Sequence, residues 1–215
     1  MQMVPTRHVV ILVLVGLIAT LSPFGVAQSE ESKWTSGGTE QGKWLFGFRA
    51  GFAPLTQSLT DTINTSTDVG SLVNLEGMYS LNKWVLVGLM LEWERHAVDL
   101  EPSNRDLGHQ DTVSLLPTVQ VRPGRLGPLA PYASMGFGVN VNSFSDDIPG
   151  VNTSPSNNFA WRLAWGTDYF LTSSLALNIE MAYKRNDGHA TINGVRIDDW
   201  DASSFGFLFG VRALF

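Results

Sequence analysis

The chain has 215 residues, a formal net charge of −6 and no cysteine. Charged residues make up only 16% of it, against the ~25% usual for soluble domains, and aromatics make up 11%, which together exclude a disordered chain. Without cysteine it can form no disulfide framework, thiolate zinc site or cysteine nucleophile. Its acidity argues against a nucleic-acid partner, because phosphate contacts need a basic face.

Residues 1–27 are predicted to be a cleaved signal peptide. A short segment that contains polar residues ends at Arg7 and His8, and residues 9–21 form an apolar run in which Thr20 is the one polar residue. This run is shorter than the roughly 20 residues that a spanning helix needs, and the small residues up to Ala27 suit signal peptidase. An uncleaved anchor is the alternative.

Residues 28–42 are polar, which predicts a flexible periplasmic N-terminal tail, and residues 43–215 form the predicted main domain. No apolar run in this domain is long enough for a spanning helix, so it is either soluble in the periplasm or a membrane β-barrel. Eight segments of about ten residues, the length of a tilted membrane strand, alternate with period two. These segments are 44–54, 72–81, 84–94, 113–122, 132–144, 159–170, 175–184 and 204–215.

Side-chain size indicates which face of each predicted strand lies inside. In the first segment the bulky Trp44, Phe46 and Phe48 alternate with Gly47 and Arg49. The interior of an eight-stranded barrel is just wide enough to be filled by side chains, so small and polar residues fit inside and bulky apolar residues suit lipid. A soluble lipocalin-like barrel, the alternative, would reverse the two faces.

The connections between these segments alternate between long and short. Short periplasmic turns and long extracellular loops are typical of bacterial outer-membrane barrels. The predicted fold is therefore all-β, an eight-stranded antiparallel transmembrane β-barrel in the outer membrane with both termini on the periplasmic side. Aromatic residues at the strand ends, Tyr132 among them, are expected to form girdles at the lipid headgroups.

Charged residues on the small-residue face occur in equal numbers of both signs. A balanced set in a narrow lumen predicts a structural ion-pair network, because unpaired charges there would be costly. A gate or polar constriction is the alternative. Glu180, on the strand after Arg162, is a candidate partner for it. The predicted network comprises Arg49, Glu76, Glu92, Glu94, Arg122, Arg162, Asp168, Glu180, Lys184 and Arg212.

A lipid A-modifying enzyme is the catalytic alternative. Acyl hydrolysis needs a nucleophile, a base and an orienting acid in contact. Of the histidines after the signal peptide, His109 and His189 lie in predicted loops, and only His96 has a nearby candidate nucleophile, Ser114. We therefore predict no enzyme, no catalytic residues and no cofactor. The acidic loop residues around 146–147 and 198–201 lack EF-hand spacing, so we expect no protein metal site, with weak ion bridging to lipopolysaccharide as the alternative.

Several stretches resemble the OmpW family of small outer-membrane barrels. The resemblance covers most of the chain after the signal peptide, beginning with residues 42–54 and continuing with Leu115-Leu116-Pro117-Thr118 and Ala130-Pro131-Tyr132. Its most specific part is residues 166–178, which are similar to the sixth and seventh strands of the family. The resemblance implies an eight-stranded barrel with a narrow path for small apolar molecules. The broader OmpA/OmpX-like class shares this architecture but has other roles.

The C-terminal strand ends on Phe215, a feature shared by many outer-membrane barrels. The resemblance implies that the last strand is recognised by the barrel assembly machinery, with periplasmic chaperones as further partners during biogenesis. The predicted assembly signal comprises Phe209, Val211, Ala213 and Phe215.

The favoured functional hypothesis is passive uptake or lateral delivery of small hydrophobic molecules. It rests on the resemblance and on apolar residues that face the lumen. A plugged barrel for adhesion or envelope integrity is the second hypothesis, and the lipid-modifying enzyme is the third. We expect a monomer whose partners are outer-membrane lipids and lipopolysaccharide. The apolar lumen residues are Leu45, Leu72, Leu86, Met90 and Leu116.

Overall fold

The structure is a computed structural model that describes residues 34–36, 38–60, 62, 65–100, 103 and 105–215. The predicted signal peptide lies outside the described residues. Within them there is no helix long and apolar enough to cross a membrane. The strands are β1 (Trp34–Ser36), β2 (Trp44–Ala53), β3 (Thr65–Thr67), β4 (Gly70–Ser80), β5 (Val85–Leu100), β6 (Arg105–Val121), β7 (Gly124–Leu126), β8 (Leu129–Asp146), β9 (Thr153–Pro155), β10 (Asn158–Phe170), β11 (Leu175–Arg185), β12 (Asp187–Ile192), β13 (Val195–Asp201) and β14 (Ser204–Leu214).

Eight long strands form one closed antiparallel barrel, in the order β2, β4, β5, β6, β8, β10, β11 and β14. Each pairs with the next along the chain, and β14 returns to pair with β2. The predicted all-β, eight-stranded antiparallel barrel is thereby confirmed. The turns after β4 and β10 are short, and we call this end, where β2 begins and β14 ends, the short-turn end. The opposite end is the loop end.

The side chains sort by face as expected from period two. Phe46 and Phe48 point outward and are about half exposed, whereas Leu45 and Arg49, on either side of this pair, are completely buried inside. The same alternation runs along the other barrel strands, so the outside of the barrel is a continuous apolar surface and the polar residues fill the lumen.

Three strands run further toward the loop end than predicted. β5 continues to Leu100, β6 begins at Arg105 and β8 continues to Asp146, where the sequence indicated loops. In this extension the outward residues are polar, as in Arg95 and Asp111, which form an exposed ion pair at 2.8 Å. The pattern of apolar outward residues therefore stops here, so the sequence no longer indicates a strand although the strand continues.

A separate three-stranded sheet, β13-β12-β9, forms in loops that were predicted to be irregular. Asn193 and Gly194 connect β12 to β13 and both have positive φ, at 49° and 85°. A two-residue Asn-Gly turn with this geometry matches the twist of a β-hairpin. The loop end is thus an ordered cap of secondary structure.

The described part of the predicted N-terminal tail makes backbone hydrogen bonds with the barrel. Strand β1 pairs with β7, and the Gly38 N–H donates to the Lys83 carbonyl at 2.9 Å. A Cβ on Gly38 would lie only 2.8 Å from the Cβ of Arg122, so a residue with a side chain would not fit here. The segment therefore lies across the short-turn end, against the last charged residue of the lumen.

Trp44, the first residue of β2, and Phe215, which follows β14, extend the ladder that closes the barrel. The N–H of Trp44 donates to the carbonyl of Phe215 at 3.0 Å, and the N–H of Phe215 donates to the carbonyl of Trp44 at 2.9 Å. The Phe215 ring also packs edge-on against Phe46, with the ring centroids 6.1 Å apart. The last residue therefore joins the last strand to the first.

Deleting Phe215 removes both closing hydrogen bonds and the ring contact. At about 0.5–1.5 kcal/mol for each hydrogen bond, we expect the free energy of unfolding to fall by about 1–3 kcal/mol. The measurement is the urea midpoint of refolding in detergent micelles. Phe215→Leu, which keeps the backbone bonds, is the control and should lose less. A deletion with the wild-type midpoint would contradict this role of the terminal residue.

Candidate functional site

All the charged residues predicted for the lumen are buried there, and none is more than 6% exposed. Ion pairs join them into one unbroken series in which the sign of the charge alternates at every step. The N···O distances along the series are 2.5–3.2 Å. From the loop end to the short-turn end, this ion-pair series is Glu94, Lys184, Glu92, Arg162, Glu180, Arg49, Glu76, Arg212, Asp168 and Arg122.

Strand register builds this series. Arg162 on β10 lies opposite Lys184 on β11, so the two cations cannot pair with each other. Arg162 instead reaches Glu180, four residues from Lys184 along β11, at 2.7 Å, and Glu92 across the lumen at 3.0 Å. The expected contact between Arg162 and Glu180 is therefore present. Contacts between residues on distant strands, such as Arg162 and Glu92, form only because the barrel is closed.

Tyr132 lies at the centre of the series. This position of Tyr132 was not predicted from the sequence. It was expected in an aromatic girdle, but it is 4% exposed and its hydroxyl donates to Glu180 at 2.7 Å. The guanidinium of Arg212 lies over its ring, 4.2 Å from the centroid. A Cβ on Gly166 would lie 2.6 Å from the Tyr132 hydroxyl, so this glycine makes room for it. Tyr132 lies two residues before Ser134, which belongs to the inward face of the strand. This spacing was the sequence signal that could have placed Tyr132 in the lumen.

Neutral amides add further hydrogen bonds to the series. The Asn74 side-chain oxygen accepts from Arg49 at 2.6 Å, and the Asn178 amide donates to Asp168 at 2.6 Å. Removing charges from water costs several kcal/mol each, and such a cost is offset only where partners are close and complete. The alternating order gives each charged group at least one opposite neighbour, although Nε and Nη1 of Arg122, at the end of the series, have no hydrogen-bond partner among the described residues. Packed side chains rather than an open polar channel therefore fill this part of the lumen.

The five apolar residues predicted for the lumen are buried, but they do not form one path. Leu45 and Leu86 pack with Met78 near the short-turn end. Met90 and Leu116 pack with Ala160 at mid-height, and Leu72 packs in a third cluster with alanines and Leu208. These residues fill the spaces beside the ion-pair series.

A cavity of about 270 Å³ lies instead at the loop end, and its wall is mostly apolar. Sequence reasoning did not single out its residues, because they come from extended strands and from loops. Val98 is the next inward residue of β5 after His96, whereas Trp200 lies on β13. We call this space the loop-end cavity. Its apolar wall includes Leu59, Val98, Leu107, Phe144, Ile148 and Trp200.

One side of the cavity lacks a continuous backbone ladder. The pairing of β8 with β10 ends at Asn140 and Asn158, although β8 continues to Asp146. Above this level, the bonds across the gap that are seen among the described residues involve side chains. Asp146 accepts from the backbone and hydroxyl of Thr153 at 2.8 and 2.6 Å, and the Asn142 amide donates to the Ser156 carbonyl at 2.9 Å. We call this gap, between residues 142–146 and 153–157, the side seam.

The candidate catalytic pair is not brought together. The Ser114 hydroxyl donates to Asn140 at 2.7 Å and accepts from Lys184, while His96 lies opposite Gln110 in the strand register. Neither ring nitrogen of His96 has a hydrogen-bond partner in the described part of the chain. Over the same residues, no group of three or more His, Asp or Glu could hold a metal ion.

The residues of the predicted assembly signal share the outward face of β14. Phe209 is 53% exposed, Val211 45% and Phe215 69%, and Ala213 lies on the same face with intermediate exposure. They continue the apolar outer surface to the short-turn end.

Comparisons with known proteins place this geometry in a family. The family described as outer membrane protein beta-barrel domain matches residues 15–212. The chain belongs to this family. It is an outer-membrane protein, as predicted, and its expected relationship to the small barrels of OmpW type is confirmed at this level. A search of curated proteins gives no significant match.

Solved structures of outer-membrane barrels have the same fold. OprG from Pseudomonas aeruginosa is 16% identical with a TM-score of 0.71, covering 83% of this chain and 98% of its own. AlkL, solved in DMPC lipid bilayers, is 16% identical with a TM-score of 0.54, covering 87% and 97%. Neisserial surface protein A is 17% identical with a TM-score of 0.53, covering 80% and 97%. By the rule for bacterial barrels, the short-turn end faces the periplasm and the loop end faces the exterior.

Replacing Arg162 with Met leaves Glu92 and Glu180 each short of one partner. Breaking a buried pair in this way costs about 3–5 kcal/mol, because the remaining charge is left uncompensated. With an m-value of about 1–3 kcal/mol/M, the urea midpoint in micelles should fall by roughly 1–5 M.

Arg196→Met is the matched control. Arg196 pairs with Asp198 at 2.5 Å, but both side chains are more than 60% exposed, so the pair is screened by water. Its midpoint should stay at the wild-type value. Equal losses in the two variants would show that burial in the series has no special effect.

Proposed function

We propose that the protein takes up small hydrophobic molecules passively at the cell surface and delivers them sideways into the outer membrane. The loop-end cavity is the observation that carries this proposal. It is concave and mostly apolar, and it opens at the end of the barrel that meets the exterior. Ligand sites for small apolar molecules have this composition, with a few polar groups among apolar side chains.

The ion-pair series argues against passage straight through the barrel. Val98 of the cavity wall, His96 and Glu94 are successive inward residues of β5, so the first ion pair lies about 13 Å along the strand from Val98 at ~3.3 Å per residue. An apolar solute that moved further would have to displace buried charges from their partners. Such a step is far more costly than leaving through the wall.

The side seam supplies an exit beside the cavity. Phe144, Asp146 and Thr153 line the cavity and lie on the two sides of the seam. Separating side-chain hydrogen bonds there leaves the backbone ladder of the barrel intact, whereas an exit between two fully paired strands would break that ladder. At its lower edge the seam adjoins Val141, the last outward apolar residue of β8, so a ligand leaving there would reach the boundary of the lipid.

A plugged structural barrel, acting in envelope integrity or adhesion, is the second candidate. The filled lumen favours it, because a barrel with this interior needs no transport role to explain it. We propose a non-enzymatic role in either case, since the geometry of His96 and Ser114 does not support nucleophilic attack. We further propose a monomer that contacts lipids and lipopolysaccharide, and whose last strand engages the assembly machinery and chaperones.

Val98→Asp places a carboxylate in the cavity wall at a residue that is 1% exposed. We expect uptake of the apolar dye N-phenyl-1-naphthylamine by intact Gram-negative cells to slow about tenfold, which corresponds to about 1.4 kcal/mol. The measurement is the initial rise of dye fluorescence relative to cells without the protein, with heat-modifiable gel mobility as the check of folding.

Val195→Asp is the control, because Val195 lies on the same cap but is 67% exposed, away from the cavity wall. It should take up dye at the wild-type rate. If cells with the wild-type protein gain dye no faster than cells without it, uptake is excluded and the structural barrel is favoured.

A further inference from the structure

A second cavity, of about 280 Å³, lies at the short-turn end of the barrel. Its wall is formed by the segment before β2, by β7 and by the turn between β10 and β11, and most of the lining residues are polar. We call this space the short-turn pocket. Its polar wall includes Glu40, Lys43, Arg125, Ser173 and Ser174.

Arg125 is a cation of this wall that has no anionic partner among the described residues. Its backbone pairs with Thr35 in the ladder of β1 and β7, and its guanidinium carbon lies 3.8 Å from the centroid of the buried Phe170 ring. The residue is partly exposed, and only Nε of its three side-chain nitrogens is buried without a partner, so Nη1 and Nη2 remain accessible. A guanidinium held in this way matches two oxygens of a phosphate or carboxylate.

The wall carries more positive than negative charge. Lys43 is a second cation and Glu40 is the acidic residue, and neither forms an ion pair with a residue in the described part of the chain. Gly38, which also lines the pocket, packs against the stem of Arg122, where the ion-pair series ends in a cation. Positive charge on the wall and directly behind it favours an anionic ligand.

The number of donors indicates which anion fits. Besides the N–H groups of Arg125 and Lys43, the exposed Ser173 and Ser174 each offer a hydroxyl. A phosphate has more oxygens to accept from these donors than a carboxylate has, and Glu40 can accept from a hydroxyl elsewhere on the ligand. The pocket has room for on the order of ten non-hydrogen atoms at the roughly 30 Å³ of a water-sized group, which is the size of a phosphate joined to glycerol.

Outward aromatic rings mark the height of the pocket. Trp44 directly follows Lys43 and is 49% exposed, and Tyr169 directly precedes Phe170 and is 46% exposed. Amphipathic rings of this kind lie at the lipid headgroups in outer-membrane barrels. The pocket therefore lies at the height where the phosphates of the inner leaflet meet the periplasm.

We propose that the short-turn pocket binds a phosphoglycerol group, carried either by a phospholipid of the inner leaflet or by a soluble glycerol phosphate. Arg125 and Lys43 bind the phosphate oxygens, the two serine hydroxyls donate to the same group, and Glu40 accepts from a glycerol hydroxyl. Basic pockets at membrane surfaces recognise lipid headgroups through this chemistry. The site is at the opposite end of the barrel from the loop-end cavity, so it goes beyond the proposed uptake.

The test titrates the protein, purified from outer membranes into octyl glucoside micelles, with two probes. Dihexanoylphosphatidylglycerol represents the lipid, sn-glycerol 3-phosphate represents the soluble ligand, and binding is followed by phosphorus NMR against empty micelles. The variants are Arg125→Gln and Lys43→Gln. Lys83→Gln is the matched control, because Lys83 is an exposed cation at the same end that does not line the pocket.

We expect Arg125→Gln and Lys43→Gln each to weaken binding about tenfold, since each removes a charge-assisted hydrogen bond, and Lys83→Gln to bind as the wild type does. Binding of the lipid probe alone assigns the site to a headgroup, and binding of glycerol phosphate shows that a soluble ligand suffices. Each variant tests the proposal alone, so a folding failure of one, detected by heat-modifiable gel mobility, leaves the other. The proposal is wrong if neither probe binds, or if the control loses as much affinity as the pocket variants.

Discussion

The structure depends on one constraint, the cost of burying charge in a lumen too narrow for a water channel. An isolated charge there would be uncompensated, and two neighbours of like sign would repel each other. The protein meets the constraint with a single series of alternating charges from Glu94 to Arg122, centred on the Tyr132 hydroxyl. Every strand that contributes to the series must hold its register, because a slip by one residue would turn its charges into the lipid.

Much of the barrel could be predicted from local pattern. Period two and side-chain size are properties of neighbouring residues, so they indicated the strands, their faces and the buried charges. The order in which the charged residues pair could not be predicted, because it depends on contacts between residues that are far apart in sequence, such as Arg49 and Glu180. Tyr132 was misplaced because its aromatic character outweighed its parity. The loop-end cavity was missed because β5, β6 and β8 continue where lipid no longer selects for apolar outward residues.

The filled lumen and the loop-end cavity are consistent with a single function. A closed series below the cavity prevents water and ions from crossing, so the outer membrane keeps its barrier. In the proposed function, an apolar ligand in the loop-end cavity has no route downward, and the nearest weakly bonded boundary is the side seam beside Phe144 and Asp146. In the proposed function, stability and transport are thus separated by height in the barrel, with buried charge pairing below and the capped cavity above.

Planar bilayer recording tests the central claim most directly, because it reports whether the lumen is closed. The wild-type protein, inserted in a bilayer between symmetric KCl solutions, should give no current above that of the bare membrane, with or without an apolar solute. Discrete, ohmic conductance steps from correctly folded protein would contradict the account. They would show that the ion-pair series lines an open channel and that solutes can cross the barrel along its axis.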